Sequence, residues 1–327
     1  MSELIETKYG KISQDLNEFM WDYRYRPTTL DECILPAADK ATMKGIVEKG
    51  RIDCMSLISD SPGTGKTTLA VVLALMVNAE YILVNGSDCK VDYIRDVLTP
   101  FASSKTMKPG GKMIIIDEFD RAGLAEAQKH MRSFIDAYSK NCSVMITANN
   151  INGIHPALLS RCPVVKFGTA TKEDRRAMEV DVIKRCVGIL EIEKIPCDDN
   201  KILAALVKKH FPDIRSVVKG LGTYANRGKI DAGILTEIRG NDLGNVIELL
   251  KTKNLKEIRV EVIRYASEYE NFINSLLEKI YPMVSSESKV ALIQMIGENN
   301  AQYALAANKE IHLQYLMLNL MMNLSWE

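Results

Sequence analysis

The chain has 327 residues, 46% of them hydrophobic, and its 42 Lys and Arg are matched by 42 Asp and Glu. At roughly 150 residues per domain this length suggests about two domains, or three, and the composition excludes wholesale disorder. The net charge of zero lends no support to nucleic-acid binding, so any such surface must be made by placement. No stretch reaches the ~18 apolar residues of a membrane span, so no membrane partner is expected. The polar start MSELIETKYGKISQDL is not a secretory signal. Seven Cys without a CxxC pair read as reduced thiols of a cytoplasmic protein.

The first half alternates short β-rich runs with helical patterns, the mark of a parallel α/β sheet. The predicted strands are Met55–Ser59, Tyr81–Asn85, Lys112–Ile116, Ser143–Thr147 and Pro163–Phe167. The third is apolar at nearly every position, as a strand buried on both faces must be. A helix should open near Lys66 and run to Val77. After Phe167 the strand signal stops. Thr171-Lys172-Glu173-Asp174 has the form of a capping box, with Asp in the place of Glu, and starts a helix that Pro196 ends. Two short helices follow near 200–210 and 213–226. From Asp231 onward the pattern is amphipathic helix, with Pro282 and Gly297 as interruptions. This gives an α/β domain, a small helical domain and a C-terminal helical domain.

Asp60-Ser61-Pro62-Gly63-Thr64-Gly65-Lys66-Thr67-Thr68 lies between the first predicted strand and its helix, the setting a P-loop requires. Gly63 and Gly65 let backbone N–H groups close around phosphates, and Thr64 and Thr68 belong to the same loop. Lys66 reaches the β- and γ-phosphates, Thr67 offers a hydroxyl to Mg²⁺, and the helix N-terminus adds its dipole. Asp60 replaces the first Gly of the motif. A carboxylate 4 Å from a triphosphate would cost ~4 kcal/mol at an effective dielectric of 20, so Asp60 is expected to point away and bond to nearby backbone.

Met113-Ile114-Ile115-Ile116-Asp117-Glu118 places two acids at the end of a buried strand, about 50 residues beyond the P-loop. There Asp117 can hold Mg²⁺ through water, and Glu118 can orient or deprotonate a water attacking the γ-phosphate.

With these segments in place, the chain resembles AAA+ ATPases of the replication-factor-C type. Within them it is most similar to the ATPase subunits of sliding-clamp loaders of T-even-type bacteriophages. Tyr25-Arg26-Pro27-Thr28-Thr29-Leu30-Asp31-Glu32 is similar to the family's YRPxTLDE box, and Asn85-Gly86-Ser87-Asp88 to its NASD. Ala127-Gln128 to Tyr138 resembles its AQxALRRxMExY helix, and Thr147-Ala148-Asn149 carries its sensor-1 Asn. Ser160-Arg161-Cys162 matches its SRC motif, and Pro212-Asp213-Ile214-Arg215 its sensor-2 Arg. The matches run in order from residue 23 to 215; beyond residue 230 none is diagnostic.

The resemblance implies a five-stranded parallel sheet with helices on both faces over residues 1–168, a helical lid over 169–230 and a helical collar over 231–327. It implies ATP as ligand with Mg²⁺, and a base pocket formed by the backbone of Asp22, Tyr23, Arg24 and Tyr25 with the side chain of Ile34. Asn149 would bond the attacking water or the γ-phosphate. Arg215 would touch the phosphates of its own subunit, and Arg161 would serve the next subunit as a trans arginine finger. Lys90, Arg95 and Lys129, near helix starts, would meet DNA phosphates. Implied partners are copies of the chain and a small non-ATPase subunit in a pentameric ring, the sliding clamp and primer–template DNA, in the host bacterial cytoplasm if the gene is viral. The Met-rich end, Tyr315 to Leu324, reads either as a packed collar helix or as a partner surface. Two other functions stay open at this point: another AAA+ replication motor such as a helicase loader, and a non-hydrolysing structural subunit of the same ring.

Overall fold

The computed structural model describes residues 3–166, 171–231, 243–263, 265–266, 269–303 and 305–326. The chain falls into two compact units, Met1–Leu235 and Thr236–Glu327.

In the first unit the strands are β3 (Met55–Ile58), β4 (Glu80–Asn85), β5 (Lys112–Asp117), β6 (Cys142–Ala148) and β7 (Val164–Lys166). They form a parallel sheet in the order β4-β5-β6-β3-β7. The period of two decides how both faces are buried. Ile114 and Ile116 of β5 join Val144, Ile146, Met131 and Phe134 in one core. Met113 and Ile115 point the other way and pack with Leu57, Leu69, Leu73 and Met145 in a second. Helix α3 (Lys66–Met76) supplies the second core, and α6 (Ala125–Tyr138) the first. The predicted strands match these within one or two residues, except that Phe167 lies outside the described residues.

The helical segment begins as the capping box requires. Thr171 accepts from the Asp174 N–H, and the Asp174 carboxylate accepts from the Thr171 N–H at the start of α8 (Lys172–Ile192). Helices α9 (Asn200–His210) and α10 (Ile214–Ala225) follow. An N-terminal hairpin, β1 (Glu3–Thr7) with β2 (Gly10–Gln14), packs on α8. The approach is close enough that a Cβ on Gly188 would meet Ile12 Cδ1 at 2.6 Å. Nothing in the polar N-terminal sequence signals this hairpin, because only its contact with a distant helix buries Ile12.

The second unit is helical over 244–251, 255–263, 269–280, 286–303 and 309–323. The Met-rich helix buries Leu313, Leu316, Met317, Leu320 and Met321 in that unit's core, while Ile311, Tyr315, Leu318 and Met322 remain exposed along its other side. Pro282 does interrupt the helices, in a 3₁₀ turn at Tyr281–Met283. Gly297 does not: it lies inside the unbroken helix Ser286–Tyr303, where the loss of ~1 kcal/mol relative to Ala is tolerated within a packed helix. The part of the predicted collar over 232–242 lies outside the described residues.

One buried ion pair ties the chain's N-terminal segment to α8. Glu32 Oε1 lies 3.6 Å from Arg185 Nη2, with side chains 2% and 8% exposed. Glu32 also accepts from the Ser13 N–H at 2.6 Å and hydroxyl at 2.7 Å, and from the Thr28 and Thr29 N–H groups at 3.0 and 3.1 Å. Burial raises the pKa of this carboxyl, but the Ser13 and Thr28 donors and the Arg185 charge outweigh it and hold the group below its ordinary value. A depressed folded-state pKa contributes stability above the unfolded pKa of about 4.3 and loses it as pH falls through the folded value. Glu32→Gln should therefore cost about 3 kcal/mol at pH 7 by leaving Arg185 buried and unpaired. In chemical denaturation this gap should narrow below about pH 4; a gap that stays constant would contradict the assignment.

Candidate functional site

The parallel strands end together at one edge, and the P-loop, the acids and Asn149 all gather there. The strand order brings them close, because β6 lies between β3, which feeds the P-loop, and β5, which ends in Asp117. Gly63 and Gly65 adopt φ of 68° and 93°, and Gly65 caps α3. Lys66 is 8% exposed and donates to Asn149 Oδ1 at 2.8 Å and to the Ser61 carbonyl at 3.1 Å. Burial pulls its pKa down, against the opposing charges of Asp117, Asp120 and Glu118.

The Asp117 carboxylate is held by two hydroxyls. Thr67 and Thr147 both donate to Asp117 Oδ1 at 2.5 Å. The Thr147 hydroxyl accepts from the Glu118 N–H at 3.0 Å, fixing the turn after β5. Glu118 holds a left-handed φ of 55°, a conformation unusual outside glycine and often found at functional sites. Its side chain bonds Arg121. A Cβ on Gly86 would lie 2.5 Å from the Glu118 carbonyl oxygen, so the loop after β4 also bears on this turn. Asp120 accepts from the N–H groups of Asn149 and Asn150 at 2.9 and 2.7 Å. Buried Gln128 donates to the carbonyls of Phe119 and Gly153 at 2.8 and 2.9 Å. Roles for Thr147, Asp120, Arg121 and Gln128 were not read from the sequence, although all lie within or beside quoted motifs. Their partners become neighbours only when the strands pair.

Beside the P-loop is a cavity of about 690 Å³, including its open mouth. Asp22, Tyr25, Ile34, Gly63, Thr64, Gly65, Thr68 and Arg215 line it. Tyr23 and Arg24 are not among its lining side chains: Tyr23 is 45% exposed under the Arg26 guanidinium, and Arg24 pairs with Glu193 at 2.9 Å. Tyr25 turns its hydroxyl to Gln14 and Glu193, and burial followed by Glu193 pushes its pKa well above the ordinary value. Thr64 Oγ1 and Asp22 Oδ1 are buried without a hydrogen-bond partner among the described residues. Two such orphans on residues of one cavity, with a glycine cradle and a buried ammonium alongside, fit a polar, phosphate-bearing ligand.

The lid grips the P-loop directly. The N–H groups of Ile214 and Arg215, at the start of α10, donate to the Gly63 carbonyl at 3.1 and 3.4 Å. That carbonyl therefore faces the start of α10. Asp213 caps α10 through Ser216, and a Cβ on Gly63 would overlap its carboxylate, 1.7 Å from Oδ1.

Asp60 is exposed, has no positive φ, and makes no side-chain hydrogen bond or ion pair among the described residues. The expected backbone bond is thus absent, since an ordinary backbone angle and open solvent leave it neither strain nor burial to offset. Arg161 lies just before β7, at the N-terminal edge of the sheet and opposite to the P-loop edge. Its guanidinium bonds Asp136 at 2.6 and 2.9 Å and the Ala157 carbonyl at 2.9 Å. Lys90 and Lys129 are exposed. Lys90 precedes a short helical turn at Val91–Tyr93, and Lys129 lies in the second turn of α6. Arg95 lies in a π-helical turn, 3.7 Å from Asp92 on the surface.

If the Gly63–Asp213 grip matters, Gly63→Ala should destabilise the first unit by about 1 kcal/mol or more, through both strain and overlap. Thermal unfolding of Gly63→Ala, Asp213→Ala and the double variant should show a combined cost below the sum of the single ones. Full additivity would mean that the two residues do not bear on each other.

Comparison with known proteins agrees with this geometry. Residues 56–168 match the ATPase family associated with various cellular activities. Residues 174–236 match the AAA+ ATPase lid domain of the sliding-clamp-loader large subunit, and 268–325 match that subunit's C-terminal domain. The sliding-clamp-loader large subunit of Enterobacteria phage T4 is 47% identical over 97% of this chain and 100% of its own length. That of Escherichia phage RB69 is 46% identical over the same shares. A replication factor C small subunit from Archaeoglobus fulgidus is 32% identical over 90% of this chain and 94% of its own. Among solved structures, the Thermotoga maritima RuvB Holliday junction branch migration motor superposes with a TM-score of 0.52 over 65% of this chain and 72% of its own. At 18% identity, it shares only the fold. The chain belongs to the sliding-clamp-loader large subunits, within the replication-factor-C-like AAA+ ATPases.

Proposed function

We propose that the chain is an ATP-driven subunit of a clamp loader, which opens a ring-shaped processivity clamp and loads it at primer–template DNA during replication. What supports this reading is the cluster at one sheet edge, Lys66 on Asn149, Thr67 and Thr147 on Asp117, and Glu118 next in the chain, which can serve ATP hydrolysis. A non-hydrolysing structural subunit would not need it. The likeness to a branch-migration motor extends only to the fold.

Within the site the roles separate by chemistry. Lys66 supplies charge to the phosphates, and its contact with Asn149 keeps both groups on the γ-phosphate side. Thr67 and Asp117 present hard oxygen ligands suited to Mg²⁺, which when bound neutralises phosphate charge. Glu118 orients and deprotonates water once Arg121 releases its carboxylate. The partnerless Thr64 hydroxyl and Asp22 carboxylate oxygen can complete their hydrogen bonding on nucleotide. Arg215 reports nucleotide to the lid, and Arg161, too far across the sheet for its own site, reaches the neighbouring subunit's ATP. The exposed Lys90, Arg95 and Lys129 fit phosphate contacts that read no bases, as a loader working at any primer end needs. In this reading the ring is a pentamer of copies of the chain with a small non-ATPase subunit, works in the cytoplasm, and has its hydrolysis stimulated by clamp and DNA.

Lys66→Ala should abolish productive ATP binding, while Glu118→Gln should keep binding and lose turnover. Nucleotide affinity and steady-state hydrolysis, with and without clamp and primed DNA, measure both. Wild-type hydrolysis by Glu118→Gln would remove Glu118 from the role of base.

Arg161→Ala should retain ATP affinity and lose hydrolysis in the assembled ring, a trans finger being worth about 10³–10⁵ in rate. Mixing it with Lys66→Ala subunits should restore part of the activity, at interfaces that join an intact pocket to an intact finger. Mixed, demonstrably assembled rings that stay inactive would count against a trans finger.

A further inference from the structure

β3 and β7 pair in parallel with Ser56 opposite Val164 and Leu57 opposite Val165. The same register, carried two residues toward the N-terminal edge, sets Cys54 opposite Cys162. The hydrogen bonding continues that way: the Ser56 N–H donates to the Pro163 carbonyl at 2.9 Å, and its hydroxyl to the Cys162 carbonyl at 3.2 Å. Opposed residues on neighbouring strands lie ~4.8 Å apart and share a face, inside the ~4.4–6.8 Å Cα separation that a disulfide spans. Both side chains meet in one hydrophobic cluster, Cys162 within it and Cys54 packed against it. Cys54 is partly exposed and lines a surface pocket with Arg51, Asp53, Asp136, Lys140 and Arg161; Cys162 is fully buried behind it. The nucleotide site uses neither.

Their surroundings set them apart chemically. The neighbouring Cys162 thiol lowers the Cys54 pKa; burial and Asp53 oppose that effect, while a bond from the Val144 N–H at 3.2 Å and the nearby Arg51 add to it, leaving the thiol below its ordinary value. The same pairing, with burial, pushes Cys162 up. Cys54 is thus the more accessible and more readily ionised sulfur, and Cys162 the buried neighbour placed to resolve it.

We propose that Cys54 and Cys162 form an oxidisable dithiol that a hydroperoxide closes to a disulfide, tethering the residue after Arg161 to β3. The Cys54 thiolate attacks a peroxide oxygen, the O–O bond breaks, and hydroxide leaves to give the sulfenic acid. Cys162 then attacks that sulfur, the S–S bond forms, the S–O bond breaks, and hydroxide departs with the thiol proton as water. The two sulfurs lose two electrons, and the peroxide gains them. The closed pair holds Arg161 against its own subunit's Asp136 and Ala157, out of the neighbour's reach; this consequence, unlike the bond itself, rests on the reading of Arg161 as a trans finger.

Two measurements test it. The full chain is treated with hydrogen peroxide at pH 7, quenched with an alkylating agent, digested with trypsin and weighed by mass spectrometry. Peptide 52–66 should appear joined to peptide 162–166, should separate on reduction, and should be absent from Cys54→Ser and Cys162→Ser. Cys162→Ser should instead leave a dimedone-reactive sulfenic acid at Cys54. Separate alkylation of both cysteines after peroxide, with no joined peptide, would overturn the proposal. In assembled rings, the oxidised wild type should hydrolyse ATP roughly tenfold slower or worse and recover on reduction, while Cys54→Ser is indifferent to peroxide. A joined peptide with unchanged hydrolysis would overturn the control of Arg161. If Arg161→Ala rings stay active, the trans-finger reading fails while the peptide result still decides the disulfide.

Discussion

A single carboxylate organises the site. Asp117 ends the strand that is buried on both faces, and its Oδ1 accepts hydrogen bonds from the hydroxyls of Thr67 on α3 and Thr147 on β6. Three elements, far apart in the chain, are thereby fixed at one point. The strand can carry a charge there only because it ends there: one residue earlier, Ile116 is fully buried. The adjacent Glu118 is turned by its left-handed backbone and by the Thr147 hydroxyl that accepts from its N–H. Parallel strands end on one side, so the P-loop, the acids and Asn149 need no further device to meet.

The lid reads the same loop from behind. The Gly63 carbonyl accepts from the first N–H groups of α10, so the P-loop peptide and the helical segment are bonded directly. The glycine is required there by geometry as well as by its φ of 68°, since any Cβ would occupy the space of the Asp213 carboxylate. On its other side the helical segment is bound to the chain's beginning by the Arg185–Glu32 pair and by Arg185 donating to the Tyr25 carbonyl at 2.7 Å. The cavity between these anchors has walls from the N-terminal segment, the P-loop and α10 together.

Arg161 illustrates the opposite logic. The sheet that gathers the P-loop, the acids and Asn149 at one edge carries Arg161 to the other, where Asp136, Ala157 and Ser160 of its own chain engage it. That polarity places the pocket at one edge of the sheet and this cation at the other.

Much of this was legible in the sequence because the signals are local. The run from Lys112 to Ile116 declares a two-faced strand by itself, Gly63 to Thr67 declares a loop that opens a helix, and Thr171 with Asp174 declares a helix start. Each rests on backbone preference or side-chain period within a few residues. Asp60, by contrast, was expected to find a backbone partner and instead stands in solvent, because local tolerance of a turn does not say which way a side chain faces. The N-terminal hairpin, the Gly63–Asp213 grip, the Glu32 hub and the alignment of Cys54 with Cys162 all join residues distant in the chain. Sequence determined which elements form and which chemistry they carry. Which of those groups touch was decided by strand order and register, set by the burial of both sheet faces and invisible to any window of neighbouring residues.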